Sequence, residues 1–200
     1  MFFIKLFLLY IKGLDPIYEL FLRNKKVLDV GCGVGENLRK NKELMHGFDI
    51  NEKVIAKLVA EGYLVKQGDV INVPFADDFF EVVYNRNIIE HLNPATAQKM
   101  FVEMKRVLKK DGKIILISPM PKTVWNTFGH IKPYPPAAIK KLFREVSLES
   151  FDSVQGFKIE KVFYYGIWSG NKFFFIISTF LAQFLNYFRG SYLMIIEKIC

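Results

Sequence analysis

Cysteine and histidine are scarce in this sequence, and their scarcity limits the chemistry that the chain can carry. Only two cysteines, Cys32 and Cys200, and three histidines, His46, His91 and His130, occur among its 200 residues. Two distant cysteines provide no disulfide framework and no zinc-binding motif. The histidines are far apart in the chain and lack the spacing of metal ligands, so we expect no metal. This cysteine usage fits a reducing compartment, and we predict a cytoplasmic location.

Long apolar runs are also missing. The most apolar stretch near the C-terminus, residues 173–188, contains Gln183 and Asn186 and is flanked by basic residues. It is shorter than the ~20 residues that a membrane-spanning helix needs. At the other end, residues 1–11 have no basic segment before them and no small-residue cleavage site after them. We therefore predict no signal peptide.

Positive charge and apolar side chains are what the sequence has in excess. Half of the residues, 51%, are hydrophobic, which is enough to build the core of one domain. The first hundred residues carry equal numbers of basic and acidic side chains, so the net charge of +8 lies in the second half. Such a half can attract nucleic acid, an anionic membrane or an acidic substrate. Ordinary solvated helix faces explain the same charge, and both interpretations stay open.

Hydrophobic patterning predicts an alternation of strands and helices over the first 120 residues. The predicted strands are 26–30, 45–50, 63–66, 79–84 and 113–118. The predicted helices are 35–42, one from Asn51 to about Glu61, one starting at Pro94, and one from Pro135 or Pro136 to about Val146. Repeated β-α units form a parallel sheet with helices on both faces. Two further strands, 157–166 and 191–199, predict an antiparallel edge.

A glycine-rich turn follows the first of these strands. It contains Gly31, Cys32, Gly33 and Gly35. Glycines let a strand bend sharply and bring backbone amides close to a ligand. Their spacing here differs from the Gly-x-Gly-x-x-Gly pattern of dinucleotide-binding folds. Asp29 stands two residues before the first glycine, and a carboxylate there suits a ligand with an ammonium group and repels a pyrophosphate.

Acidic residues also end the next two strands. Asp49 ends the second strand, where a carboxylate can accept hydrogen bonds from both hydroxyls of a ribose. Asp69 follows the third strand, at a position suited to an amino hydrogen of an adenine. Each acid alone is equally well explained as a turn or cap residue. Three acids at three successive strand ends, behind the glycine turn, favour a nucleotide-like ligand at the carboxyl edge of the sheet.

Taken together, these residues resemble the class I S-adenosylmethionine-dependent methyltransferases, especially the small-molecule group that includes the ubiquinone and menaquinone enzymes. The resemblance covers roughly residues 24–120, and its motifs are 27–35, 47–50, 68–70 with 74–75, 79–83, 89–92 and 108–113. It implies a Rossmann-like three-layer α/β sandwich whose seven-stranded sheet is mostly parallel, with an antiparallel C-terminal edge. It also implies S-adenosylmethionine as the cofactor.

The resemblance assigns roles to single residues. The predicted cofactor-binding residues are Asp29, Gly31, Cys32, Gly33, Gly35, Asp49, Ile50, Asp69, Val70 and Asn85. The glycines let the cofactor approach, and Asp29 holds its amino-acid end. Ile50 packs on the adenine, and Asp69 and Val70 meet the adenine edge. Asn85, just past the fourth strand, lies near the methionine portion.

The chain is predicted to form a single methyltransferase domain over residues 1–200. Its parts are a helical lead 1–23, a cofactor-binding core 24–118, and a substrate-side segment 119–200 with an apolar helix 171–188. This helix and the Phe-rich start suggest a lipid or isoprenoid acceptor, or peripheral contact with a membrane surface. Helices that belong to the core or to a dimer interface explain the same apolar character.

Methyl transfer depends mainly on orienting two partners, because the cofactor supplies the electrophile. An oxygen acceptor also benefits from a general base. His130 and Tyr134, in the loop after the fifth strand, are the candidate catalytic residues, although His130 equally well serves to pin the loop. Glu90 and His91 are interpreted as helix-start residues beside the cofactor.

The predicted acceptor is a small molecule or a lipid-like compound. An RNA or protein methyltransferase and a non-catalytic S-adenosylmethionine-binding protein are the alternatives. Residues 85–88 read Asn-Arg-Asn-Ile and not the Asn-Pro-Pro-Tyr type of motif that methylates bases, so nucleic acid is disfavoured as a partner. The sequence leaves the oligomeric state open.

Overall fold

A seven-stranded sheet forms the centre of the computed structural model, which describes Lys5 and residues 15–144, 153–166, 170 and 172–200. The strands are β1 Val27–Val30, β2 Met45–Asp49, β3 Leu64–Gln67, β4 Phe80–Arg86, β5 Leu108–Pro119, β6 Phe157–Tyr165 and β7 Ser191–Lys198. Their order in the sheet is β3-β2-β1-β4-β5-β7-β6. The first five strands pair in parallel, and β7 runs antiparallel to both β5 and β6. The predicted sheet with its antiparallel C-terminal edge is therefore confirmed.

The register of the central strands brings their carboxyl ends to one edge. Val30, the last residue of β1, lies opposite Phe48 of β2 on one side and Asn85 of β4 on the other. Asp49 at the end of β2 lies opposite Gln67 at the end of β3. The loops that follow these strands therefore emerge side by side, which is where open α/β sheets bind their ligands.

Among the described residues, five α-helices and four short turns precede or connect the strands. The helices are α1 Glu52–Ala60, α2 Pro94–Val107, α3 Pro121–Val124, α4 Pro136–Leu142 and α5 Lys172–Ala182. The turns are Tyr18–Leu22, Leu38–Lys40, Ile89–His91 and Asn186–Phe188. Asn51 caps α1, since its side chain accepts hydrogen bonds from the amides of Lys53 and Val54. Asn93 caps α2 in the same way, through the amide of Thr96.

Apolar side chains cover both faces of the sheet, which makes the domain three layers thick. On one face, Met100, Phe101 and Met104 of α2 are fully buried against the strands. On the other face, Leu58 of α1 and Leu38 pack against the opposite side chains of the same strands. Because each helix presents an apolar stripe at helical spacing, burial on the sheet fixes its position.

Three predicted helices are shorter than the sequence pattern indicated, and two of them lie wholly or largely within the described residues 35–42 and 172–188. The segment 35–42 forms only the single turn Leu38–Lys40, because Gly35 has a positive φ and Asn41 is extended. The apolar helix predicted over 171–188 ends at Ala182. Just beyond its end, the side-chain amide of Gln183 donates a hydrogen bond to the carbonyl oxygen of Tyr164 in β6 and accepts one from the amide of the same residue. These two bonds fix the end of the helix against the sheet.

Some predictions fall partly outside the described residues. Of the helical lead 1–23, the structure describes the turn Tyr18–Leu22, whereas residues 1–4 and 6–14 lie outside. The helix predicted to reach Val146 begins at Pro136 as expected but ends at Leu142, because Phe143 already forms its C-cap, so it too is shorter than predicted. Residues 145–152 lie outside the described part of the chain. Within the described part of the chain, no helix has the length and apolar character to cross a membrane.

Candidate functional site

The turn after β1 depends on glycine at three positions. Gly31, Gly33 and Gly35 all have positive φ, at 65°, 48° and 78°, where side chains are strained. A Cβ on Gly31 would lie 2.4 Å from Cδ1 of Ile88, and a Cβ on Gly35 would lie 2.7 Å from Cδ2 of Leu58. A Cβ on Gly33 would meet no atom within 4 Å. Gly31 and Gly35 therefore serve packing, whereas Gly33 faces open space that a ligand can fill.

Asp29 lies under this turn, with only 4% of its surface exposed. Its Oδ2 accepts a hydrogen bond of 3.2 Å from the Asn37 amide. Burial outweighs this bond and the positive field of Lys40 and Arg86, and it raises the pKa of the Asp29 carboxyl to about 7. A cation brought next to this carboxyl would favour its ionised form.

Asp49 joins the end of β2 to the glycine turn. Its Oδ2 accepts a hydrogen bond of 2.9 Å from the Gly33 amide, and its Oδ1 accepts one of 2.9 Å from the Asn51 amide. The carboxylate thus lies beside the open space at Gly33. The next residue, Ile50, leaves 70% of its surface exposed, which provides an apolar surface for a flat ligand.

Asp69 and Val70 lie in a fixed loop after β3. The Asp69 carboxylate accepts a hydrogen bond of 3.2 Å from the Ile71 amide, while Val70 packs against the core. Arg106 of α2 holds the following segment by donating to the carbonyl oxygens of Val73 and Phe75, each at 2.8 Å. The loop is therefore positioned before any ligand arrives.

Cys32, inside the glycine turn, is buried and lies in the negative field of two carboxylates. Burial, followed by the negative charges of Asp29 and Asp49, raises the pKa of its thiol to about 12. A neutral thiol is a poor nucleophile. Cys32 therefore serves packing, and a Cβ on the neighbouring Gly47 would lie 2.8 Å from its own Cβ.

Asn85 is not where the sequence placed it. It lies within β4, which extends to Arg86, and not just past the strand. Its side chain is fully buried, and its Nδ2 lies 3.5 Å from Sδ of Met100, so it faces α2 in the core. The predicted location is wrong because β4 ends at Arg86, two residues later than expected, and the contact with the methionine portion stays a prediction.

Besides the open space at Gly33, a cavity of about 540 Å³ lies beyond the ends of β4 and β5. Its lining includes Arg86, Glu90, His91, Thr123, His130 and Ser191. The carbonyl oxygen of Glu90 accepts hydrogen bonds from the amides of Ile131 and Lys132. Nδ1 of His91 lies 3.1 Å from the carbonyl oxygen of Gly129. These bonds pin the loop after β5 onto the turn Ile89–His91.

The pinned loop brings His130 next to His91, with ring centroids 4.6 Å apart. Glu90 completes a cluster in which one ligand atom of each residue lies within 4.8 Å of the others. The Glu90 carboxylate is fully buried, its Oε2 accepts a hydrogen bond from Ser118, and burial raises its pKa. The spacing of these residues in the sequence gives no sign of this cluster, because the fold brings together two segments that are distant in the chain.

Tyr134 is held within the structure. Its hydroxyl donates a hydrogen bond of 2.8 Å to the carbonyl oxygen of Leu92, and its own carbonyl oxygen accepts one of 2.6 Å from Tyr192. Burial raises the pKa of its hydroxyl to about 12. Tyr134 is not among the residues that line the cavity, so its geometry fits a structural role better than the predicted catalytic one.

Comparison with known proteins gives this arrangement a family context. Residues 28–116 match the family described as Methyltransferase domain. A solved S-adenosylmethionine-dependent methyltransferase from Archaeoglobus fulgidus superposes with a TM-score of 0.63 at 21% identity, covering 99% of this chain and 95% of that one. The chain therefore has the fold of the class I S-adenosylmethionine-dependent methyltransferases.

Sequence relatives agree with the fold but differ in their named acceptors. An uncharacterized protein of Methanocaldococcus jannaschii is 30% identical over 68% of this chain and 57% of its own length. A tRNA (carboxymethyluridine(34)-5-O)-methyltransferase of Arabidopsis thaliana is 29% identical over 50% of this chain and 24% of its own. Ajmaline N-methyltransferase of Rauvolfia serpentina is 26% identical over 59% and 44%. The chain thus spans about half, or less, of these relatives.

The buried carboxyl of Asp29 makes a testable contribution to stability. An unfolded aspartate titrates near pH 3.9, whereas the folded pKa is raised to about 7. Between about pH 4 and about pH 7 only the unfolded chain releases this proton, so the free energy of unfolding falls as pH rises. We expect Asp29→Asn to remove this part of the fall. Urea denaturation across that range measures it, and parallel pH profiles for the two proteins would contradict the assignment.

Proposed function

We propose that this chain transfers a methyl group from S-adenosylmethionine to a small-molecule or lipid-like acceptor. The observation that carries the proposal is the open face of Gly33 between two carboxylates. Gly33 is free of steric contact there, the buried Asp29 lies below the turn, and Asp49 bonds the Gly33 amide. A ligand with an ammonium group at one end and a ribose in the middle fits this order of charges.

Each residue at the carboxyl edge would bind a different part of the cofactor. Asp29 would face the amino-acid end, where an ammonium group offsets the cost of a buried carboxylate. The Asp49 carboxylate would accept hydrogen bonds from the ribose hydroxyls. Ile50 offers exposed apolar surface to the adenine, with Asp69 and Val70 at its edge. S-adenosylmethionine carries the methyl group on a sulfonium, so the chain has to orient the cofactor and the acceptor toward each other and enclose both.

The cavity of Glu90, His91 and His130 is the proposed acceptor site. It lies next to the glycine turn, because Ile88, just before the turn that carries Glu90, packs against Gly31. A methyl group held at Gly33 and an acceptor in this cavity would therefore be neighbours, which is the main requirement for an in-line displacement.

Exposed apolar side chains in the loop beside this cavity support an apolar acceptor. Trp125, Phe128 and Ile131, all in the loop that carries His130, are exposed. Tyr187, in the turn Asn186–Phe188, is also exposed, and its carbonyl oxygen accepts a hydrogen bond from Lys122 of α3. Since Thr123 of α3 lines the cavity, this turn and the loop of His130 form one rim beside it. Clustered exposed aromatic side chains are typical of binding surfaces. The resemblance to the quinone methyltransferases points to the same class of acceptor.

The same rim supports peripheral contact with an anionic membrane. Aromatic residues and nearby lysines are the combination that partitions into the headgroup region. The excess of positive charge in the second half of the chain adds to this attraction. An RNA acceptor is the second candidate, since positive charge and a tRNA methyltransferase among the relatives also favour it.

A pair of glycine variants tests the cofactor site. Gly33 and Gly62 both have positive φ, and a Cβ on either would meet no atom within 4 Å. Gly33→Ala and Gly62→Ala should each lower the free energy of unfolding by about 1 kcal/mol from backbone strain. Only Gly33→Ala should weaken S-adenosylmethionine binding in calorimetry, by about tenfold or more, because its methyl group occupies the ligand's space. Equal affinities for the two variants would contradict the placement.

A labelling experiment tests the acceptor class. The purified chain is incubated with tritium-methyl S-adenosylmethionine and a cell extract, which is then divided into lipid, small-molecule, RNA and protein fractions. We expect label in the lipid fraction, and we expect the chain to float with anionic vesicles at low salt. Label confined to RNA would establish the second candidate instead. Binding of NAD without binding of S-adenosylmethionine would contradict both.

A further inference from the structure

Glu90, His91 and His130 form a cluster to which neither the fold nor the comparisons assign a role. Glu90 and His91 belong to the turn after β4, and His130 belongs to the loop after β5. One ligand atom of each lies within 4.8 Å of the others, and all three line the acceptor cavity.

Both imidazoles are oriented in the way that metal-binding histidines are. Nδ1 of His91 contacts the carbonyl oxygen of Gly129, and Nδ1 of His130 contacts that of Val124. A carbonyl oxygen only accepts, so these contacts favour the neutral tautomer that carries its proton on Nδ1 in each ring. Each Nε2 then keeps a free lone pair. A backbone carbonyl bonded to the opposite ring nitrogen is the usual support of a metal-ligating histidine.

Glu90 supplies an independent sign that a ligand belongs here. The residue is 0% exposed, and its Oε2 already accepts the hydroxyl of Ser118. Its other oxygen, Oε1, is buried and has no hydrogen-bond partner among the described residues. Buried carboxylate oxygens are rarely left unpaired, because desolvation without a partner costs free energy.

We propose that Glu90, His91 and His130 bind a divalent transition-metal ion of the Zn²⁺ type. Two imidazole nitrogens and one carboxylate oxygen are a ligand set of catalytic zinc sites, which keep a further position open. Nitrogen ligands argue against Mg²⁺ and Ca²⁺, which prefer oxygen. Because all three residues line the cavity, an ion held by them would be within reach of an acceptor bound there.

The role of the ion rests on the proposed function. An acceptor hydroxyl bound at the open position would be oriented toward the methyl group and would lose its proton more readily. In the transfer, the O–H bond breaks and the proton goes to solvent, while the oxygen forms the new bond to the methyl carbon. The electron pair of the broken S–C bond returns to sulfur and neutralises the sulfonium.

Direct metal binding by the purified chain tests the site without requiring activity. After removal of metal with a chelator, Co²⁺ is titrated while its visible absorption is followed, and Zn²⁺ is titrated by calorimetry. We expect one ion per chain, with Co²⁺ displaced by Zn²⁺ but not by excess Mg²⁺. His91→Ala, His130→Ala and Glu90→Gln should each weaken binding by more than the roughly 10- to 100-fold that loss of a supporting hydrogen bond causes.

His46→Ala is the matched control, since His46 lies in β2 against Phe75, Phe79 and Phe80 and is not among the residues that line the cavity. It should bind metal like the unchanged chain. Thermal melting without metal establishes that each variant is folded. Absence of stoichiometric binding, or binding unaffected by the three cluster variants, would overturn the proposal. S-adenosylmethionine calorimetry in the presence of chelator separates this outcome from failure of the proposed function.

Discussion

Three glycines at positive φ after β1 are the constraint on which both sides of the site depend. Gly31 accepts the side chain of Ile88, and Gly35 accepts that of Leu58 in α1. Asp49 then holds the turn through the Gly33 amide. One backbone conformation thus couples the first helical layer, the end of β2 and the loop that leads to Glu90. Any side chain at Gly31 or Gly35 would displace one of these neighbours.

Buried carboxyl groups stand at both ends of the proposed reaction path. Asp29 lies beneath the glycine turn, and Glu90 lies in the wall of the cavity beyond β4 and β5, each nearly or fully buried. Burial raises the pKa of both, so each is costly to ionise in the free protein. Carboxyl groups with raised pKa values are typical of functional sites, where a bound ligand offsets the free energy that it costs to ionise them in the free protein. The ammonium group is the proposed ligand of Asp29, and a metal ion that of Glu90.

The sequence predicts the sheet well because local signals and the fold agree there. The alternation of strands and helices and the turn at Gly31 to Gly35 follow from periodicity and backbone conformation. The predicted helix 35–42 forms only one turn, because the positive φ of Gly35 and the extended Asn41 limit it at both ends. The contact between His91 and His130 could not be predicted from their spacing in the sequence. It depends on hydrogen bonds from the loop after β5 to the carbonyl oxygen of Glu90.

A crystal structure with S-adenosylhomocysteine bound tests the central claim most directly. The account predicts the amino-acid end above Asp29 and against Gly33, the ribose hydroxyls on the Asp49 carboxylate, and the adenine between Ile50 and Val70. The sulfur would then face the cavity that contains His130. A ligand bound elsewhere, or one that leaves Gly33 and Asp49 without contact, would contradict the account.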